Sequence, residues 1–291
     1  MRVLLVAFAL AAQICAAEDR FFDSGGVRIR YVERGAGVPV LLVHGFTGGV
    51  QCCWIDNGIL AELARDHRVI AFDLRGHGLS GKPHDPAAYD EIGKDVIHLL
   101  DHLQLSRAHI VGFSLGGIIV AKLLTTDPGR FSSAILAGAA PRRSRGMESD
   151  LATEGAAREM EEGSYRTLIL ATAPTDEPPP SEAVVLARSK EIVASNDPFA
   201  HAALMRARRA LLVADADIAA VRAPTMAIIG SADPALPRVQ ALKKRWPKLE
   251  VVVIQGATHP ARHSRGLLTR QEFIAEVRAF IASHNHGMAA R

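Results

Sequence analysis

Short apolar runs alternate with amphipathic stretches along most of the chain. Val40–His44, Val69–Asp73, Ile110–Gly112, Ala134–Ala137, Met226–Gly230 and Val251–Ile254 are continuous apolar segments too short for helices. Such runs read as strands buried on both faces. Mixed apolar and polar stretches near Ile59–Arg65, Asp90–Leu103, Leu115–Thr125, Val239–Trp246 and Thr269–Ser283 read as helices. The alternation predicts an α/β fold with a doubly wound, mostly parallel sheet. Ahead of it, Phe21 to Arg34 alternates loosely around Gly25-Gly26 and predicts a hairpin.

The rhythm breaks between residues 141 and 221. This segment opens with Arg142-Arg143-Ser144-Arg145, carries helical stretches, and holds Pro174 and Pro178-Pro179-Pro180. It reads as a small helical cap with a hinge-like loop, inserted into a core formed by 18–140 and 222–291. Phe199, Leu204 and Met205 are pocket-wall candidates, although packing on the core is the plainer role for each. The basic run at 142–145 could attract an anionic substrate, but a solvated hinge is the plainer reading.

The N-terminus stands apart. Met1-Arg2 is a short positive region, Val3 to Ala12 is apolar, and Cys15-Ala16-Ala17 puts small residues where a signal peptidase cuts. Residues 1–17 are therefore expected to be a signal peptide, and the protein to be exported, periplasmic or secreted. The run is shorter than the ~20 apolar residues of a membrane span, so no stable membrane anchor is expected.

Composition narrows the function classes. With 291 residues, 48% of them apolar, the chain can bury a large core. Its formal charge of +3 and the lack of a basic stripe interleaved with aromatics argue against a nucleic-acid partner. Cys52 and Cys53 remain after the leader. Adjacent cysteines bridge only through a strained ring, so two thiols are the plainer reading. Their redox state and the oligomeric state stay open.

Candidate chemistry begins at Gly112-Phe113-Ser114-Leu115-Gly116, between the run His109-Ile110-Val111 and the helical stretch that follows. A strand, a sharp turn and a helix start form a nucleophile elbow, and glycines two before and two after Ser114 let strand and helix approach. A serine hydroxyl needs a base, and the base needs an orienting acid. The acid candidate is Asp233, in Gly230-Ser231-Ala232-Asp233-Pro234 after an apolar run. The base candidate is His259, in the loop after Val251–Ile254. Both fall just past the carboxyl ends of predicted parallel strands, where open α/β sheets collect site residues. His263 competes for the base role, but His259 is nearer the strand end, and His263 is expected to open the following helical region. Asp215 and Asp217 sit just before a strand, at the wrong edge.

These features, with His44-Gly45-Phe46 after the run Pro39–Val43 and with Asp73-Leu74-Arg75-Gly76-His77-Gly78-Leu79-Ser80, resemble the α/β-hydrolase superfamily. The resemblance covers nearly all of the chain outside the cap and leader. It points to the serine-nucleophile branch with a cap inserted between strands six and seven. It implies an oxyanion hole formed by the main-chain N–H groups of Phe46 and Leu115. It gives His44 a packing role and makes the Asp73–Ser80 loop a brace. Relatives that cleave carbon–halogen bonds or epoxides carry aspartate at the elbow, so Ser114 points to attack on an acyl carbon. The expectation is a serine hydrolase acting on a carboxylic ester or similar small acyl substrate, with no cofactor and no metal. Carbon–carbon bond hydrolysis, perhydrolysis and acyl transfer share the same triad, and a non-catalytic ligand-binding protein on this fold is the remote alternative.

Overall fold

Eight strands form one sheet in the computed structural model, which describes residues 18–141, 147–261 and 263–285. The expected leader, the basic run at 142–145 and the end of the chain beyond Asn285 lie outside the described residues. β1 (Arg20–Ser24) and β2 (Val27–Arg34) make the antiparallel hairpin, turning at Gly25 and Gly26 with φ of 61° and 82°. β2 runs antiparallel to β4 (Arg68–Phe72). From β4 onward β3 (Pro39–Val43), β5 (Ala108–Phe113), β6 (Phe131–Ala137), β7 (Thr225–Gly230) and β8 (Glu250–Ile254) are parallel. Their spatial order is β1-β2-β4-β3-β5-β6-β7-β8.

The continuous apolar runs follow from helices on both faces. Along β3, Leu41 and Val43 join one core while Val40 and Leu42 join the other. The first core takes α2 (Lys94–His102), α3 (Leu115–Thr126) and α9 (Leu236–Arg245); the second takes α1 (Ile59–Leu63) and α10 (Gln271–Ser283). β6 starts at Phe131, three residues before its apolar run, because buried Ser133 bonds His109 Nδ1 at 2.7 Å and so sits in the sheet interior at little cost. α9 likewise starts early, since Pro237 is tolerated in a first helical turn.

Between β6 and β7 the described chain is helical: α4 (Met147–Glu161), α5 (Arg166–Ala171), α6 (Glu182–Ser195), α7 (Pro198–Ala207) and α8 (Asp215–Ala219). Asp197 caps α7, accepting from the N–H groups of Phe199 and Ala200 at 3.0 and 3.1 Å. Arg206 ties α7 to Glu154 and Glu161 of α4. Asp215 and Asp217 open α8, away from the sheet's carboxyl edge.

Candidate active site

Ser114 follows β5 directly and precedes the first residue of α3, with φ 51° and ψ −112°. Non-glycine residues rarely adopt positive φ, and here the surroundings enforce it. The Ser114 N–H donates to the Ala137 carbonyl at 2.8 Å. A Cβ on Gly112 would stand 2.4 Å from the Gly116 carbonyl, and one on Gly116 would stand 2.1 Å from the Val43 oxygen. Only glycine allows strand, helix and neighbouring loop to meet so closely.

Asp233 and His259 arrive from the loops after β7 and β8. Gly230 makes their convergence possible, because a Cβ there would lie 2.1 Å from the Ala257 oxygen. His259 Nδ1 lies 2.8 Å from Asp233 Oδ2, and Ser114 Oγ lies 2.9 Å from His259 Nε2. A carboxylate only accepts, so the proton of the neutral ring is on Nδ1, and the serine hydroxyl donates to Nε2. Asp233 is 1% exposed, and its other oxygen accepts from the Ala235 N–H at 2.7 Å. The His259 ring stacks on Phe113, centroids 5.5 Å apart. Serine, imidazole and carboxylate thus stand in one hydrogen-bonded line. That line can move a proton off the serine and hold the resulting imidazolium.

His263 stands outside it. Its Nδ1 contacts Thr258 Oγ1 at 3.3 Å and accepts from the Arg265 N–H, and its Nε2 faces Glu177 at 3.8 Å. It lies in a turn well ahead of α10 and does not open a helix. The sequence has no period there to separate a turn from a first helical turn.

The loop after β3 passes close to the serine: a Cβ on Gly45 would touch Phe113 and come within 3.3 Å of Ser114 Cβ. Among the described residues, no hydrogen bond engages the N–H of Phe46 or of Leu115. The Asp73–Ser80 loop braces this segment. The Leu74 N–H donates to His44 Nε2 at 3.0 Å, and His77 is hydrogen-bonded through Nε2 to the Phe46 carbonyl. Asp73 accepts from the N–H groups of Val50 and Leu79 at 2.8 and 3.0 Å. His44 is fully buried, with Nδ1 bonded to the Gly45 carbonyl at 2.7 Å, so its role is in packing the loop. Burial lowers the pKa of His44, and that of His77 falls to about 3.

Sequence reasoning missed two partners of this loop. His201 of α7 packs on the rings of Phe46 and His77 at 4.9 and 4.6 Å, and Tyr165 bonds its Nδ1 at 2.8 Å. Burial pushes the His201 pKa well down. Nothing local in the sequence pairs Tyr165 with His201, because the contact joins the residue before α5 to α7. The second is the irregular helical turn Gln51–Ile55, which carries Cys52 and Cys53 as thiols with sulfurs 3.9 Å apart. The hydrogen bond of the Cys53 thiol with Cys52, reinforced by burial, raises the Cys53 pKa well above its usual value. A thiol held protonated is a poor nucleophile.

Two cavities meet at Ser114 and His259. The smaller, about 360 Å³, runs past Phe46, Thr47 and Cys52 toward Ile192 of α6. The larger, about 750 Å³, runs past Ala139, Met160 and Met205 beneath α4 and α7. Of the pocket-wall candidates, Met205 lines the larger cavity, Leu204 is buried in the core, and Phe199 is half exposed against His84.

Residues 40–276 match the model of the alpha/beta hydrolase family. The chain is 39% identical over 120 residues to the dihydrolipoyllysine-residue acetyltransferase component of the acetoin cleaving system of Pseudomonas putida, covering 40% of this chain and 32% of that protein. It is 36% identical over 117 residues to 3-oxoadipate enol-lactonase 2 of Acinetobacter baylyi, covering 40% and 43%. A 2-hydroxymuconate semialdehyde hydrolase of Pseudomonas sp. is 34% identical over 118 residues, covering 40% and 42%. The chain therefore spans less than half the length of these curated relatives. Among solved structures, a thermophilic esterase from Thermogutta terrifontis superposes with a TM-score of 0.75 at 22% identity, covering 92% of this chain and 99% of that one. The enol-lactonase of Burkholderia xenovorans LB400 gives 0.70 at 23%, covering 90% and 100%.

Proposed function

The chain belongs to the alpha/beta hydrolase family, and from that premise we propose that it is a serine hydrolase cleaving a carboxylic ester or a similar small acyl substrate. The observation that carries this reading is the unbroken line Ser114–His259–Asp233 at 2.9 and 2.8 Å, beside two unengaged main-chain N–H groups.

Ser114 Oγ attacks the carbonyl carbon while its proton passes to His259 Nε2, and Asp233 holds the ring and balances the imidazolium. Negative charge gathers on the carbonyl oxygen, where the N–H groups of Phe46 and Leu115 receive it; each such donor is worth about 3 kcal/mol in a transition state. The bond to the alcohol breaks and the alcohol leaves with the proton from His259. Water then gives a proton to His259 as its oxygen attacks the acyl carbon, and Ser114 departs reprotonated. The sum is ester plus water to acid plus alcohol, with every group supplied by the chain.

A panel of p-nitrophenyl esters with intact-mass detection of a fluorophosphonate adduct tests this. Turnover and an adduct are expected for the wild-type protein. Ser114→Ala should lose the adduct and several orders of magnitude in rate; a variant retaining more than about a tenth of the rate would overturn the assignment. The similarity to a 2-hydroxymuconate semialdehyde hydrolase favours carbon–carbon cleavage as the second reading. Turnover of a vinylogous diketone with inert simple esters would select it. The export signal is likewise proposed, on the leader pattern of residues 1–17.

A further inference from the structure

The larger cavity differs from the smaller in charge. Of guanidinium and carboxylate groups, the smaller carries one of each, Arg188 and Glu191, and His259 and His263 also line it. The larger carries Arg208 and Arg238, and the acid in its wall is Asp233, whose oxygens are taken by His259 and the Ala235 N–H. Arg208 is half-buried, in the turn that ends α7. Its neighbours in sequence are paired: Arg206 with Glu154 and Glu161, Arg209 with Asp150. Arg208 has no carboxylate partner among the described residues, and its guanidinium donates to the Met205 thioether at 2.8 Å. A thioether is a weak acceptor, so four of the five guanidinium N–H donors are left for something else. Arg238, exposed in α9, adds a second cation at the wall of the same cavity. A half-buried guanidinium in the wall of this chamber, with Arg238 beside it, favours a planar anion that accepts two hydrogen bonds.

We propose that the larger cavity takes the carboxylate-bearing part of the substrate, with Arg208 as its anchor and Arg238 as a weaker, solvent-screened contributor. This rests on the serine-hydrolase reading of the same site and narrows its substrate class to esters with a free carboxylate on one side of the scissile bond.

The test compares matched pairs: p-nitrophenyl hemiglutarate against p-nitrophenyl pentanoate, with the carboxylate on the acyl side, and 4-acetoxybenzoate against phenyl acetate, with it on the leaving side. The readout is the ratio of kcat/KM, anionic over neutral, in wild type, Arg208→Gln and Arg238→Gln. In at least one pair the wild-type ratio should exceed one, and R208Q should lower it by about 10- to 100-fold, the worth of a charged hydrogen bond. R238Q should lower it severalfold, less so as salt is raised. Glutarate or benzoate should slow fluorophosphonate labelling of Ser114 in wild type more than in R208Q. Equal losses on the anionic and neutral members would mark Arg208 as structural and overturn the inference, as would wild-type ratios below one in both pairs. Hydrolysis of neutral esters without discrimination sinks this inference alone. Absence of turnover on every ester, with no Ser114 adduct, sinks the hydrolase reading and this inference with it.

Discussion

Removing the Arg75 guanidinium should expose how much of the fold leans on one buried ion pair. Arg75 sits in the loop that braces the candidate oxyanion segment. Its Nε and Nη2 donate to Asp95 at 2.8 and 2.5 Å, with side-chain exposures of 9% for Arg75 and 0% for Asp95. Ser24 Oγ donates to the same carboxylate at 2.5 Å, and Arg75 also donates to the carbonyls of Ser24 and Ala88. Arg75→Met leaves a carboxylate with no counter-charge and no route to water. Breaking such a pair costs about 3–5 kcal/mol, far more than the pair contributes relative to apolar residues of like volume. At about 2–4 °C per kcal/mol for a chain of this size, the melting temperature should fall by roughly 6–20 °C. Asp95→Leu should cost a similar amount by stranding the guanidinium. The double variant Arg75→Met/Asp95→Leu removes both charges and leaves chiefly the two carbonyls short of a donor, about 1–3 kcal/mol each at most. It should therefore be no less stable than Arg75→Met alone, which leaves the same two carbonyls short and strands the Asp95 carboxylate as well. Urea unfolding followed by tryptophan fluorescence measures all four corners of the cycle. A single Arg75→Met cost below about 1 kcal/mol, or a double variant losing the sum of both singles, would refute the reasoning.

Three further outcomes are expected. His259→Ala should be about as damaging to ester turnover as Ser114→Ala and His263→Ala mild, while Asp233→Asn should cost roughly two to four orders of magnitude in kcat; steady-state kinetics with a dead His263→Ala and an active His259→Ala would move the base one turn along the loop. Acid should destabilise the fold through its buried imidazoles: His77 titrates near 6.5 when unfolded but at about 3 when folded, so its contribution is complete above pH 6.5 and is lost as pH falls toward 3, about 2 kcal/mol of it by pH 5. His44 and His201 act in the same direction; a urea midpoint unchanged between pH 7 and 5.5 would contradict this. Finally, secretion from a bacterial host should yield a mature chain starting at Glu18, read by intact mass, and an exported chain still carrying Met1 would dismiss the cleavage site.

The parallel strands were legible because burial on both faces forces continuous apolar runs, and the meeting of Ser114, His259 and Asp233 because each follows such a run at its carboxyl end. Gly112, Gly116 and Gly230 carried further information, since close backbone approach leaves no other residue possible. The turn Gln51–Ile55 was not legible: it follows neither a helical nor a strand period, yet its Trp54 is fully buried. Pairings such as Tyr165 with His201, and the lack of a carboxylate partner for Arg208 among the described residues, depend on which helices meet. No local pattern records that.

The meeting of two cavities at one serine has a kinetic consequence. In a site with a single opening, the first product must clear the same passage that water then uses, and it competes with water for it. On the serine mechanism proposed above, the fragment bonded to Ser114 would rest in one chamber while the departing fragment leaves through the other. The vacated chamber becomes the route by which the second nucleophile reaches the acyl carbon. On that mechanism, whatever fills that chamber fastest, water or a competing alcohol, would set whether an acid is released or the acyl group is passed on.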